Sequence, residues 1–140
     1  MVSIKSLAVA TLAAVPSVMA KVSSFKAPAE AAAGSNITVT FQTASYSQNW
    51  VDFGVAFSIQ SPENAVYKNT IGLEFGFTAL TGQEGLVYPY TFDLDATIPA
   101  DIGPGEFILH AAIPYLAGAS GSIGWNILNS TITITAPVTA

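Results

Sequence analysis

The sequence predicts an all-β domain, an immunoglobulin/fibronectin-III-like antiparallel β-sandwich of about seven strands. Three observations predict it: apolar residues recur with period two, turn residues punctuate those runs, and no long stretch shows helical periodicity. The Cys and Trp hallmarks of antibody domains are missing, so the prediction concerns architecture alone.

Residues 1–20 stand apart from this pattern. Lys5 precedes an apolar run over residues 7–15, followed by Pro16 and the small-residue site Val18-Met19-Ala20. That is the order of a removable signal peptide, with cleavage expected between Ala20 and Lys21. A membrane span needs roughly 20 apolar residues, about twice this run, and no anchor is expected. The domain is then residues 21–140, one unit of 120 residues (140 less 20). A chain of that length buries about two-thirds of the surface it exposes when unfolded. Cysteine is absent, so core packing rather than disulfides must hold it.

The strands follow in order. A short stretch over residues 22–27 comes first. From Asn36, the residues Ile37, Val39 and Phe41 face one way and Thr38, Thr40 and Gln42 the other. The next run puts Val51, Phe53, Val55, Phe57 and Ile59 on one face. In the third, Leu73, Phe75 and Phe77 are in phase, while Gly72 and Gly76 suggest a bulge or an edge. The fourth, residues 87–98, turns Tyr88, Tyr90, Phe92, Leu94, Ala96 and Ile98 inward, with Pro89 tolerated on the outward side. A turn cluster from Pro99 leads to Phe107, Leu109, Ala111, Ile113 and Tyr115 in phase. Gly118, Gly121 and Gly124 mark a flexible loop before the last strand. There Trp125 and Ile127 are out of phase with Leu128, Ile132 and Ile134, which predicts a bulge near Ile127.

Charge narrows the partners. Without Lys5, three lysines (Lys21, Lys26 and Lys68) face nine Asp and Glu, a net charge near −6, and arginine is absent. Such a surface has nothing to neutralise phosphates, which disfavours nucleic acid and anionic lipid. A basic protein surface fits it better.

Few residues are suited to chemistry. His110 is the only histidine and should point away from the core, with nothing specifying a catalytic triad around it. Asp93 and Asp95 share one face of a strand, where charge discourages sheet-to-sheet pairing more readily than it builds a general acid/base pair. A copper monooxygenase of similar fold begins its mature chain with histidine, and this one begins with Lys21. No catalytic, metal or cofactor site is expected. Two sequons, Asn36-Ile-Thr38 and Asn129-Ser-Thr131, place both asparagines on polar strand phases as glycosylation sites. Tyr46, Trp50 and Tyr67 suit either a binding loop or packing at strand ends.

Several blocks carry a family resemblance. They are Pro28-Ala-Glu-Ala-Ala-Ala-Gly-Ser-Asn-Ile-Thr-Val-Thr-Phe41, Val51-Asp-Phe-Gly-Val-Ala-Phe-Ser-Ile59 and Thr97-Ile-Pro-Ala-Asp-Ile-Gly-Pro-Gly-Glu-Phe-Ile-Leu109. Tyr115-Leu-Ala-Gly-Ala-Ser120 and Asn129-Ser-Thr-Ile-Thr-Ile134 complete the set. Together they resemble the fungal necrosis-inducing secreted protein family over nearly the whole mature chain. The resemblance implies an effector that binds host receptor-associated protein kinases, suppresses pattern-triggered plant immunity and induces cell death when abundant. It implies no catalytic motif.

Two functions are therefore weighed. The first is a secreted effector acting by protein contact, in the host apoplast or host cytoplasm. The second is a cell-wall or carbohydrate-binding module, since the Ala-Gly-Ser opening before a Thr-rich strand also resembles domains of yeast β-glucan assembly proteins. An enzyme survives only through His110 and the acidic pair. Oligomeric state and the binding face are not legible in the sequence.

Overall fold

Alternation in the longer runs becomes two-faced strands because each strand has one side closed by a facing sheet. The computed structural model describes residues 19–66, 69–80 and 91–138. These hold nine strands: β1 (Met19–Lys26), β2 (Glu30–Ala32), β3 (Asn36–Tyr46), β4 (Trp50–Asp52), β5 (Gly54–Gln60), β6 (Leu73–Ala79), β7 (Thr91–Thr97), β8 (Gly105–Ala117) and β9 (Ser122–Thr135). A short 3-10 turn, Pro62–Val66, follows β5. One sheet has the order β1-β3-β7, and the other β2-β9-β8-β5-β6, with β4 also on β8.

The core lies between these sheets. Ile37, Val39 and Phe41 of β3 meet Val55, Phe57 and Ile59 of β5, Leu109, Ala111 and Ile113 of β8, and Ile132 and Ile134 of β9. Phe41 joins the layers, stacking on Phe92 at 5.4 Å and tilting against Phe57 at 6.1 Å. Each such side chain contributes about 1.5–3 kcal/mol when fully buried, so eleven large ones can sustain a domain without disulfides.

The all-β sandwich stands, and its details correct the expected strands. Nine strands replace about seven because two short ones, β2 and β4, were not visible as separate alternations. The β2–β9 pair is parallel, so the sheets are not wholly antiparallel. The run from Val51 is broken: five residues from Asp52 to Ala56 span four from Tyr115 to Ala112 on β8. This bulge at Phe53 reverses the phase, so Trp50 and Asp52 turn inward and Val51 outward.

β6 is an edge strand with an extra residue, Phe75, between the pairs Phe57↔Gly76 and Ser58↔Glu74. Phe75 packs on Phe57, while Phe77 faces solvent instead of sharing the phase. Near Ile127 there is no bulge: the β8–β9 register runs unbroken from Gly105↔Ile134 to Ala117↔Ser122. The expected flexible loop is a tight turn with Gly118 and Gly121 at positive φ, and Gly124 lies within β9. Tyr67, Lys68, Tyr88, Pro89, Tyr90 and residues 1–18 of the expected leader lie outside the described residues.

Candidate functional site

The unbroken β8–β9 ladder decides what the outer face of the six-stranded sheet presents. Residues directly opposite in an antiparallel pair share a face. Leu116↔Ile123, Pro114↔Trp125 and Ala112↔Ile127 therefore stand together, Val51 of β4 extends the first pair, and Ala56 and Phe77 extend the last. An apolar row thus crosses four strands as Phe77–Ala56–Ala112–Ile127. Beside it lie Pro114 with Trp125 and then Val51 with Leu116 and Ile123. Strand spacing and rise make the patch roughly 14 Å in each direction.

Ile123 is 75% exposed, Trp125 65%, Phe77 59%, Ile127 45% and Val51 40%. Of eight large apolar side chains exposed among the described residues, five stand on this face, which makes it a patch rather than scatter. Phe77 lies flat there because Gly54 has no Cβ beneath its ring.

The other end of the same face is polar and covered. Ser58 lies directly opposite His110, and Gln60 is its neighbour on β5; all three are buried. The chain after β5 folds over them. Ser58 Oγ donates to the Ile71 carbonyl at 2.6 Å, and Gln60 Nε2 donates to the Asn64 carbonyl at 2.9 Å. With its amide nitrogen committed, Gln60 offers Oε1 to His110 Nε2 at 3.2 Å, which selects the neutral Nε2–H tautomer. His110 Nδ1 has no partner, and burial holds the imidazole pKa below its usual value. His110 thus keeps the expected outward phase but is not solvent-facing, and the hydroxyl nearest it is committed to a carbonyl. That arrangement orients no nucleophile.

A second polar cluster closes the seam between the sheets. Asp52 is buried, its Oδ2 accepting from the Val22 N–H and its Oδ1 from the Trp50 indole N–H, each at 2.8 Å. Burial raises its pKa, opposed by those hydrogen bonds and by Lys21. Trp50 is stacked on Tyr115 at 4.0 Å and edged by Tyr46, with the Lys21 ammonium 4.4 Å above its ring. Packing therefore accounts for Trp50 and Tyr46, the alternative left open with a binding loop.

The remaining sequence candidates are dispersed. Ala20 and Lys21 pair with Ser45 and Ala44 in β1. Asn36 is exposed on the three-stranded sheet, its Oδ1 accepting from Thr97 Oγ1 at 2.6 Å. Asn129 is exposed on the other sheet, next after Ile127 on the outer face. Asp93 and Asp95 lie on edge strand β7 and accept from Thr40 and Thr38, each at 2.7 Å. No group of three or more potential metal ligands occurs among the described residues, and no helix there is long and apolar enough to cross a membrane. Sequence reasoning missed the apolar face, although the two-phase pattern of β9 was its signal.

Necrosis-inducing secreted protein 1 of Colletotrichum higginsianum is 30% identical over 107 residues, 76% of this chain and 73% of that protein. The protein of the same name from Colletotrichum orbiculare is 29% identical over 115 residues, 82% and 70% of the two chains. Among solved structures, a superoxide reductase (neelaredoxin) from Ignicoccus hospitalis aligns over 84% of this chain and 81% of its own, with 12% identity and a TM-score of 0.43. The family model for Nis1 matches residues 18–133, spanning both sheets and the apolar face. The chain belongs to the Nis1 family, whose relatives in Colletotrichum are secreted necrosis-inducing proteins.

Proposed function

We propose that this chain is a secreted necrosis-inducing effector that works by protein contact and not by catalysis. Its outer apolar face docks a host receptor-associated kinase and so suppresses pattern-triggered immunity. Processing between Ala20 and Lys21 belongs to the same reading. The observation that carries it is the contiguous face of Val51, Phe77, Ile123, Trp125 and Ile127, left open while the polar end of the same sheet is covered. Glu74 stands in the row next to the face, and the chain is acidic with no arginine, so the complementary partner has an apolar centre and a basic rim. Trp125 alone would suit a sugar ring. Its neighbours on the face are Pro114, Ile123 and Ile127, which give an untethered sugar stacking but no hydrogen bonds to hold it, and so favour a protein as the free ligand.

Capture of plant immune kinases by the secreted chain tests this. The wild type should retain a receptor-associated kinase, and Trp125→Ala with Ile123→Ser should weaken it by a hot-spot increment of about 2 kcal/mol, roughly 30-fold. No enrichment of any kinase, or sedimentation with insoluble glucan or chitin instead, would overturn it.

A further inference from the structure

We propose that Asn129 is an N-glycosylation site whose glycan controls access to the apolar face, an inference that rests on the docking reading above. Alternate residues of a strand share a face, so Asn129 and Thr131 of the sequon continue the line of Ile123, Trp125 and Ile127. Asn129 stands two residues beyond Ile127, roughly 7 Å along β9. Both sequon positions are exposed, as attachment requires.

The surroundings close one side to a glycan at Asn129 and leave the apolar row within its reach. Across β8, Asn129 pairs with His110, and that side is closed by the chain folded over Ser58, Gln60 and His110. Along β9 the neighbouring row on this face is the apolar one, Ile127 and then Trp125. Pyranose rings present C–H faces that pack against exposed indole and aliphatic side chains, and Ile127 and Trp125 supply both. The sequon at Asn36 lies on the opposite sheet, facing away from this one.

In the attachment step the Asn129 Nδ2 forms a bond to the anomeric carbon of an oligosaccharide carried on a lipid diphosphate. The bond from that carbon to the diphosphate oxygen breaks, the lipid diphosphate leaves, and one amide proton passes to the transfer enzyme's base. Glycosylated chains would then hold the face shielded, and trimming would open it.

The full chain secreted from a fungal host tests this in two readouts. Peptide mapping after amidase release of N-glycans in heavy-oxygen water should label the Asn129 peptide. Acrylamide quenching then reports the face, because Trp50 is 4% exposed and Trp125 65%. Enzymatic removal of the glycan, or Thr131→Ala, should steepen quenching and increase kinase capture, and Asn36→Gln should change neither. An unlabelled Asn129 peptide, or quenching identical with and without the glycan, would overturn the inference. If no form captures a kinase but quenching still responds to glycan removal, the docking reading fails and the shielding stands.

Discussion

Trp50 donates its indole N–H to Asp52 Oδ1 at 2.8 Å, two residues along the same short strand, while the other carboxylate oxygen holds the Val22 N–H of the first strand. A buried carboxylate thereby ties the edge of the three-stranded sheet to the six-stranded sheet. Both donors are buried, Val22 and Trp50 being 0% and 4% exposed. Asp52→Ala should destabilise the chain by about 2–4 kcal/mol, the cost of leaving two buried donors unpaired. Urea unfolding followed by tryptophan fluorescence checks this. A midpoint equal to wild type would show that the seam holds without the carboxylate.

His110 makes stability depend on pH in a definite direction. Its folded pKa lies below the ordinary 6.5 because burial disfavours the charged ring, so the unfolded state binds more protons between the two values. Stability is therefore lost as pH falls from about 6.5 toward the folded pKa. Asp52 acts oppositely. Its raised folded pKa means that stability falls as pH rises from 3.8 toward that value. Comparing wild type with His110→Gln at pH 7.5 and 5.5 separates the two groups. The wild type should lose more stability on acidification than the variant, and equal losses would contradict the burial account.

Asp93 and Asp95 stand on the exposed edge strand β7, where each receives a threonine hydroxyl from β3. Their charge guards an open edge against pairing with another chain. Asp93→Asn with Asp95→Asn should leave the hydrogen bonds largely intact but promote concentration-dependent association. Analytical ultracentrifugation reads this directly, and a monomer unchanged across concentrations would refute it.

Much of the fold was legible from the period-two alternation. Ile37, Val39 and Phe41, and later Leu109, Ala111 and Ile113, lie inward as their phase requires, because a strand with one face covered has no other way to bury them. The edge character of β6 was also legible from its glycines. What escaped was local register. A bulge that reverses phase and a regular strand with an apolar outer face leave the same pattern in sequence, as Val51 and Trp125 show from opposite sides. At Val51 a bulge at Phe53 exists, and at Ile127 the predicted bulge does not.

A cysteine-free all-β domain with an acidic surface, a leader-like opening and two sequons is written in the order of residues alone, because composition and periodicity are local properties. That Trp125, Ile127, Ile123, Val51 and Phe77 stand together and uncovered, and that His110 lies under a fold of chain, emerges from strand pairing and chain return. Those facts depend on which strands become neighbours and on how the chain after β5 returns over the sheet. Both are set by contacts between residues far apart in sequence, such as Val51 with Leu116 and Ala112 with Ile127 beside Ala56.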